Sequence, residues 1–431
     1  MVNRTDYDVI VVGARCAGAP TAMLLARRGH RALLVDRAVF PRDTLSTHFV
    51  HASGVARLAR WGLLPALLAT NCPPVPLLTS DWGGDLRLSG TPLPYEGIDF
   101  GLCPRRYVLD HLLNEAAVAA GADFEQGFTV TGLVSDGDRV TGVLGRDRSG
   151  TERRITARCV VGADGQRSLV ARTVGAEDYW AVPPLTTTFY TYLADLPLDG
   201  LLIHWRPGVC TASIPTHDGL TMVSSCWPGD GWGDFRTDVA GNFAAMVEAN
   251  TAPGFAERFR DARRVAPIVG SQRSANFFRT AHGPGWALVG DAGCHKDPIT
   301  ALGISDAFRD TELLVDALDE ALSGHRPEAA ALAGYERRRN EAAKPLYDYT
   351  VDQARLQPLP PERVALLRAL QQDEASRARF FGVLAGSVPL ADFYRDPLGR
   401  GAPAGDQAAP PAAPAGSPAE SPTPRAGATT G

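Results

Sequence analysis

Three short clusters and one loop hold the residues able to do chemistry. The first is Gly13-Ala14-Arg15-Cys16-Ala17-Gly18, directly after an apolar run. Gly13 permits a sharp turn and Gly18 lets a following helix pack close. Between them, around Ala14 and Ala17, a helix N-terminus offers free N–H groups and a positive dipole end to a pyrophosphate. Arg15 stands where such a turn commonly has its middle glycine, and it adds a cation. Asp36, followed by Arg37, ends the next apolar run, where a carboxylate accepts ribose hydroxyls. This spacing predicts dinucleotide binding. The second cluster is Gly162-Ala163-Asp164-Gly165, and the third is Gly290-Asp291-Ala292 with Pro298, Gly303 and Ile304 behind it. The loop Thr44–His51 carries His48 and His51. An imidazole titrates near neutrality, so His48 is the candidate general base, with a surface or capping role as the alternative.

These clusters need elements to hold them. Residues 7–12 read as a buried strand, 17–28 as a helix closed by Gly29, and 31–35 as a second strand, together one βαβ unit. Residues 104–121 read as a helix, 128–161 as strands joined by tight turns, and 286–290 as a further strand. Residues 185–227 alternate apolar and polar side chains, the pattern of an antiparallel sheet. The glycines at 229–233 precede no buried strand pair and read as a loop. The expected class is α/β, a Rossmann-like dinucleotide domain with an inserted antiparallel sheet and C-terminal helices. The first lobe takes residues 1–180, with an inserted segment at 70–103. A substrate-binding sheet domain takes 181–280, the first lobe resumes over 281–345, and helices follow over 346–398. Residues 399–431 contain no Ile, Leu, Val, Met or aromatic residue and are expected to be disordered.

Composition narrows the function. Forty-three basic and 48 acidic residues leave a net charge of −5, which argues against nucleic-acid binding. Lysine occurs only at Lys296 and Lys344. Seven cysteines without a CxxC spacing predict reduced thiols in a cytoplasmic protein, with no metal site. No apolar run approaches the length of a membrane span, and the N-terminus does not read as a signal peptide. The sequence carries no signal for an oligomeric state.

Taken in order, the three clusters resemble the fingerprints of the para-hydroxybenzoate hydroxylase-like FAD-dependent oxidoreductases, over about residues 5–345. That superfamily includes aromatic hydroxylases, geranylgeranyl reductase-like enzymes and flavin halogenases. The resemblance implies non-covalent FAD. It implies that Asp291 bonds the ribityl chain, that Pro298 completes GDAxxxxxP, and that the helix starting at Gly303-Ile304 stabilises the reduced ring. Ala301, Leu302 and Ser305 depart from the family's GQGxN. Asp164 lies in the motif linked to FAD and nicotinamide binding. Arg106 matches the RxxhD helix start, near the flavin edge or pyrophosphate; a helix salt bridge to Asp110 is the alternative. The inserted sheet would roof the flavin, with Tyr190, Tyr192, His204, Trp205 and Trp227 as candidate substrate-pocket residues. The implied activity is a monooxygenase: NAD(P)H as transient donor, O2, a flavin C4a-hydroperoxide, and an apolar, aromatic or polyketide-like small molecule. The alternatives are a reductase or dehydrogenase acting on C=C bonds, and a non-catalytic flavin-binding protein. Halogenases of the superfamily use a lysine early in the chain and a GWxWxIP segment. Here the first lysine is Lys296, and Val209–Pro215 keeps only Ile-Pro, so halogenation is not expected.

Overall fold

The computed structural model describes residues 6–229, 232–271 and 274–399. Apart from Gly399, the tail expected to be disordered lies outside the described residues. Tyr7–Val12 forms the middle of an eight-stranded sheet. It pairs in parallel with Ala32–Asp36 on one side and Glu152–Gly162 on the other. Asp123–Gln126 and Trp286–Leu288 extend the parallel run outward. Val9 and Val11 enter one core and Ile10 and Val12 another, so both faces of this strand are covered. That is why it reads as a continuous apolar run rather than an alternation. Helices Gly18–Arg27, Arg106–Ala119 and Gly303–Leu322 cover one face. The hairpin Thr129–Asp136 and Arg139–Arg146 pairs onto the first half of Glu152–Gly162.

A second sheet runs Thr186–Ala194, Thr221–Pro228, Val209–Pro215 and Gly200–Arg206, all antiparallel neighbours in that spatial order. The segment 70–103, expected with the first lobe, supplies two more strands to this sheet. Leu77–Asp81 pairs in parallel with Gly200–His204, and Arg87–Gly90 forms the edge. The physical reason is burial: Leu78 and Leu88 belong to the core beneath this second sheet. Of the stretch 229–234, expected to be a loop, residues 230 and 231 lie outside the described residues, and Trp232–Phe235 forms one helical turn.

The C-terminal part is helical. Glu328–Gln353 packs along Gly303–Leu322, and three shorter helices follow: Pro361–Gln371, Glu374–Ala385 and Leu390–Arg395. The shorter three close over one face of the second sheet, where Leu367, Phe381 and Phe393 share a core with Leu78, Ile214 and Met222. The other face is covered by Val239–Asn250 and Pro253–Asp261, through Phe243, Val247 and Phe255.

Candidate functional site

The strand order brings the three sequence clusters together. Val12 lies beside Val35 and Gly162, and Gly162 beside Leu288. The carboxyl ends of four parallel strands are therefore adjacent. From Tyr7–Val12 the chain moves one way to Ala32–Asp36, and later the other way to Glu152–Gly162. Such a switch point opens a crevice at the strand ends, where ligands of open α/β sheets bind. Gly13 has φ +105°, and a Cβ there would stand 2.4 Å from the Ala163 carbonyl oxygen. A Cβ on Gly18 would fall 1.7 Å from the Gly13 oxygen, so only glycine allows this crossing. The helix beginning at Gly18 has no side-chain cap, and Ala17 is its N-cap residue. Gly290 takes φ +62°, and its Cβ would meet that of Ala17 at 2.7 Å. The first and third clusters thus touch. The Asp36 carboxylate accepts from the Ala14 N–H at 2.8 Å and the Ala38 N–H at 2.7 Å, locking the turn to the second strand. Arg37 beside it is exposed.

Arg15 and Arg106 share one partner. Asp110, fully buried, receives Arg15 Nη1 at 2.7 Å and Arg106 Nη2 at 2.9 and 3.1 Å. The helix salt bridge is what the structure shows for Arg106, and Arg15 enlarges it, so neither is a free cation. Asp291 is exposed at the strand end, close enough to Arg106 to interact by charge. Asp164 has a structural task, accepting the Leu169 N–H at 2.6 Å and the Val170 N–H at 3.3 Å. Its other oxygen is buried without a hydrogen-bond partner among the described residues.

The loop Thr44–His51 reaches from the first lobe to the second sheet. His48 is buried, at φ +35°. Its Nδ1 meets the Ser46 carbonyl at 2.6 Å and its Nε2 meets the Tyr192 hydroxyl at 3.1 Å. The carbonyl can only accept, so Nδ1 carries the proton and Tyr192 donates to Nε2. Burial pushes the His48 pKa down to about 3. A ring held neutral in this way accepts protons weakly, and its two bonds fix the Tyr192 hydroxyl against it. Tyr190 accepts the Ser46 N–H at 3.3 Å, and the Arg105 guanidinium lies 3.9 Å from the Tyr192 ring centre. Sequence reasoning overlooked Arg105, the neighbour of Arg106. His51 donates its backbone N–H to Ser305 Oγ, and its Nε2 lies 3.0 Å from the Thr300 carbonyl oxygen. Two departures noted in the sequence thus have local accounts. Ser305 anchors the loop, and Ala301 itself adopts the left-handed φ of +51° suited to glycine.

A cavity of about 100 Å³ lies between the inner face of the second sheet, the turn Pro298–Ala301 and the C-terminal helices. That exceeds by several-fold the space one water requires. Leu201, Ile203, Trp205, Ile214 and Met222 line it from the sheet. Of the five pocket candidates, Trp205 alone lines it. His204 and Trp227 lie on the opposite face, against Phe255 and against Phe189 and Phe235. Tyr190 and Tyr192 share the inner face but stand against His48. Sequence reasoning did not foresee the helical wall, made by Leu367, Phe380, Phe381 and Phe393. The aromatic doublets Phe380-Phe381 and Phe393-Tyr394 were the available signal. Pro298 lines the other end, on a turn held by Asp297, which accepts from Thr186 Oγ1 at 2.7 Å and the Ile299 N–H at 3.1 Å. Behind it Gly303 and Ile304 begin a 20-residue helix without a side-chain cap.

Comparison with known proteins agrees with this geometry. Residues 6–350 match the family described as FAD binding domain. A digeranylgeranylglycerophospholipid reductase of Methanocella arvoryzae is 25% identical over 353 residues, covering 79% of this chain and 84% of the relative. A kynurenine 3-monooxygenase of Salinispora tropica is 27% identical over 381 residues, covering 81% and 79%. Among solved structures, a flavin-dependent brominase superposes with a TM-score of 0.76 at 19% identity, over 88% of this chain and 93% of the other. At that identity the likeness speaks to the fold alone.

Proposed function

Since the chain belongs to the FAD binding domain family and is an FAD-dependent oxidoreductase, we propose that it is a monooxygenase acting on an apolar small molecule. The supporting observation is the largely apolar cavity that meets the turn Pro298–Ala301, which borders the flavin in this reading. The crevice suits FAD: Gly13 and Gly18 clear backbone and Gly290 clears the Ala17 side chain, where any Cβ would clash. In this reading Gly13, Ala14, Arg15, Ala17 and Gly18 cradle the pyrophosphate at the helix N-terminus, and Asp36 and Arg37 face the adenosine ribose. Asp291 and Gly290 hold the ribityl chain, with Arg106 and Asp164 at the rim. Pro298, Gly303 and Ile304 border the ring, and the uncapped helix dipole there favours negative charge. Bound FAD supplies the redox chemistry, with NAD(P)H as donor and O2 as co-substrate. The protein's own residues orient the substrate and exclude water. Tyr192 and neutral His48 form a fixed hydrogen-bond relay, and Arg105 on the Tyr192 face favours any negative charge that develops there.

The kinship with a reductase favours a second reading, reduction or dehydrogenation of a C=C bond. The deciding experiment supplies the holoenzyme with NAD(P)H, candidate substrates and 18O2. Incorporation of one labelled oxygen into product supports the monooxygenase. A product changed by two hydrogens without label moves the assignment to the reductase.

A further inference from the structure

One charged group stands in the apolar wall of the cavity. Arg363 lines it from the first turn of the helix Pro361–Gln371. The group is half-buried, and no carboxylate lies within ion-pair distance of it among the described residues. Asp352 acts on it only at longer range. The helix N-terminus also favours anions, with exposed Glu362 answering its dipole from the same first turn. The neighbours of Arg363 are two phenols: Nη1 donates to Tyr394 Oη at 2.9 Å and Nη2 to Tyr349 Oη at 3.3 Å. Both tyrosines also line the cavity. Each phenol accepts from the guanidinium, so its own O–H proton remains to be donated, and no hydrogen-bond acceptor for either proton occurs among the described residues. Burial raises the Tyr394 pKa, which keeps it a protonated donor. A guanidinium has five N–H bonds, of which these contacts use two. A charged donor and two hydroxyls therefore converge on a largely apolar space, in which Arg363 is the one charged lining residue among neutral polar groups such as Ser80, Thr188 and Gln353.

We propose that Arg363, Tyr349 and Tyr394 form an anion subsite, and that the substrate is an apolar molecule carrying one carboxylate. This rests on the reading of the cavity as the substrate site. A guanidinium offers parallel N–H donors that match the two oxygens of a carboxylate, and the phenols complete the set. A neutral amide of the same shape presents only one acceptor and two competing donors, so the subsite discriminates between them.

The test needs no turnover. FAD-loaded protein is titrated with naphthalene-2-carboxylate against naphthalene-2-carboxamide, and with decanoate against decanamide, following flavin absorbance and tryptophan fluorescence. The acids should bind saturably and at least about 10-fold more tightly than their amides, as expected for losing one charge-assisted hydrogen bond. Arg363→Met should abolish that preference by weakening the acids far more than the amides, with flavin content retained. Arg363→Lys should keep part of it, and Tyr349→Phe or Tyr394→Phe should each weaken the acids more than the amides. Equal affinity for acid and amide, a preference that survives Arg363→Met, or no binding of either acid up to millimolar concentration would overturn the subsite. Failure of oxygen incorporation would remove the monooxygenase reading and leave these binding results intact.

Discussion

At the scale of single residues, charges here are placed rather than scattered. Asp291 is an exposed carboxylate at the end of a buried strand, with no hydrogen-bond partner among the described residues of the kind that occupies Asp110 or Asp164. A group so placed is free for a ligand. Asp291→Ala should therefore lower FAD affinity by about 10- to 150-fold, the loss of a charge-assisted hydrogen bond of about 1.5–3 kcal/mol. Fluorescence titration of the apoprotein with FAD reads this directly, and unchanged affinity in a folded variant would remove Asp291 from the site. The two lysines bear on the product. Lys296 is buried in an ion pair with Asp306, and Lys344 pairs at the surface with Asp348 at 2.6 Å. Neither lines the cavity, and an arginine stays protonated and is a poor nucleophile toward an electrophilic halogen. Reactions supplied with bromide or chloride should yield no halogenated product by mass spectrometry. Halide-dependent product from the enzyme would contradict that expectation.

At the scale of elements, the Asp110 cluster ties the helix Arg106–Ala119 to the glycine turn 95 residues earlier in the chain. Removing one member of a buried ion pair leaves the others uncompensated, which costs about 3–5 kcal/mol. Asp110→Ala should lose about that much stability by urea denaturation and also lose flavin, since the turn carrying Arg15 is released. A variant with wild-type stability would show that the arginines find other partners. This tie also marks where sequence reading succeeds. The βαβ unit and the three clusters were legible because each is a local strand–turn pattern, the first with Gly13 and Gly18 fixed by backbone clashes. The Arg106–Asp110 half of the tie was legible from its helical spacing; Arg15 was not, because its partner is remote. The faces of the second sheet were legible in principle. His204 and Trp205 are adjacent in one strand and must point opposite ways. Trp227 pairs with Thr187, whereas the cavity residue Cys226 pairs with Thr188. The helical wall was legible only as two aromatic doublets; what they cover depends on packing between residues 78–222 and 367–393 that no local pattern encodes.

At the scale of the whole molecule, the buried imidazoles sit at the joints. His48 links the first-lobe loop to the second sheet, and His51 links that loop to the turn before helix Gly303–Leu322. His204 lies between the second sheet and its outer helices. Burial lowers the pKa of His48 to about 3 and those of His51 and His204 to about 4, against 6.5 in the unfolded chain. Between those values the unfolded state binds more protons than the folded one, so stability falls as pH decreases. Their contribution is complete above pH 6.5 and declines through the window down to about 4, by about 1.4 kcal/mol per pH unit for each imidazole. Burial raises the pKa of Asp297 and Asp310, which works in the opposite direction, so a difference measurement isolates the histidines. His51→Gln should be less stable than wild type at pH 7.5, through the altered bond to Thr300. The gap should then narrow by about 1.4 kcal/mol per pH unit between pH 6 and pH 5, because the variant no longer resists a proton there. Urea midpoints of the two proteins at half-unit pH intervals measure that gap. A gap that stays constant from pH 7 to pH 5 would mean that His51 titrates alike in the folded and unfolded chains, and that the loop joint is open to water.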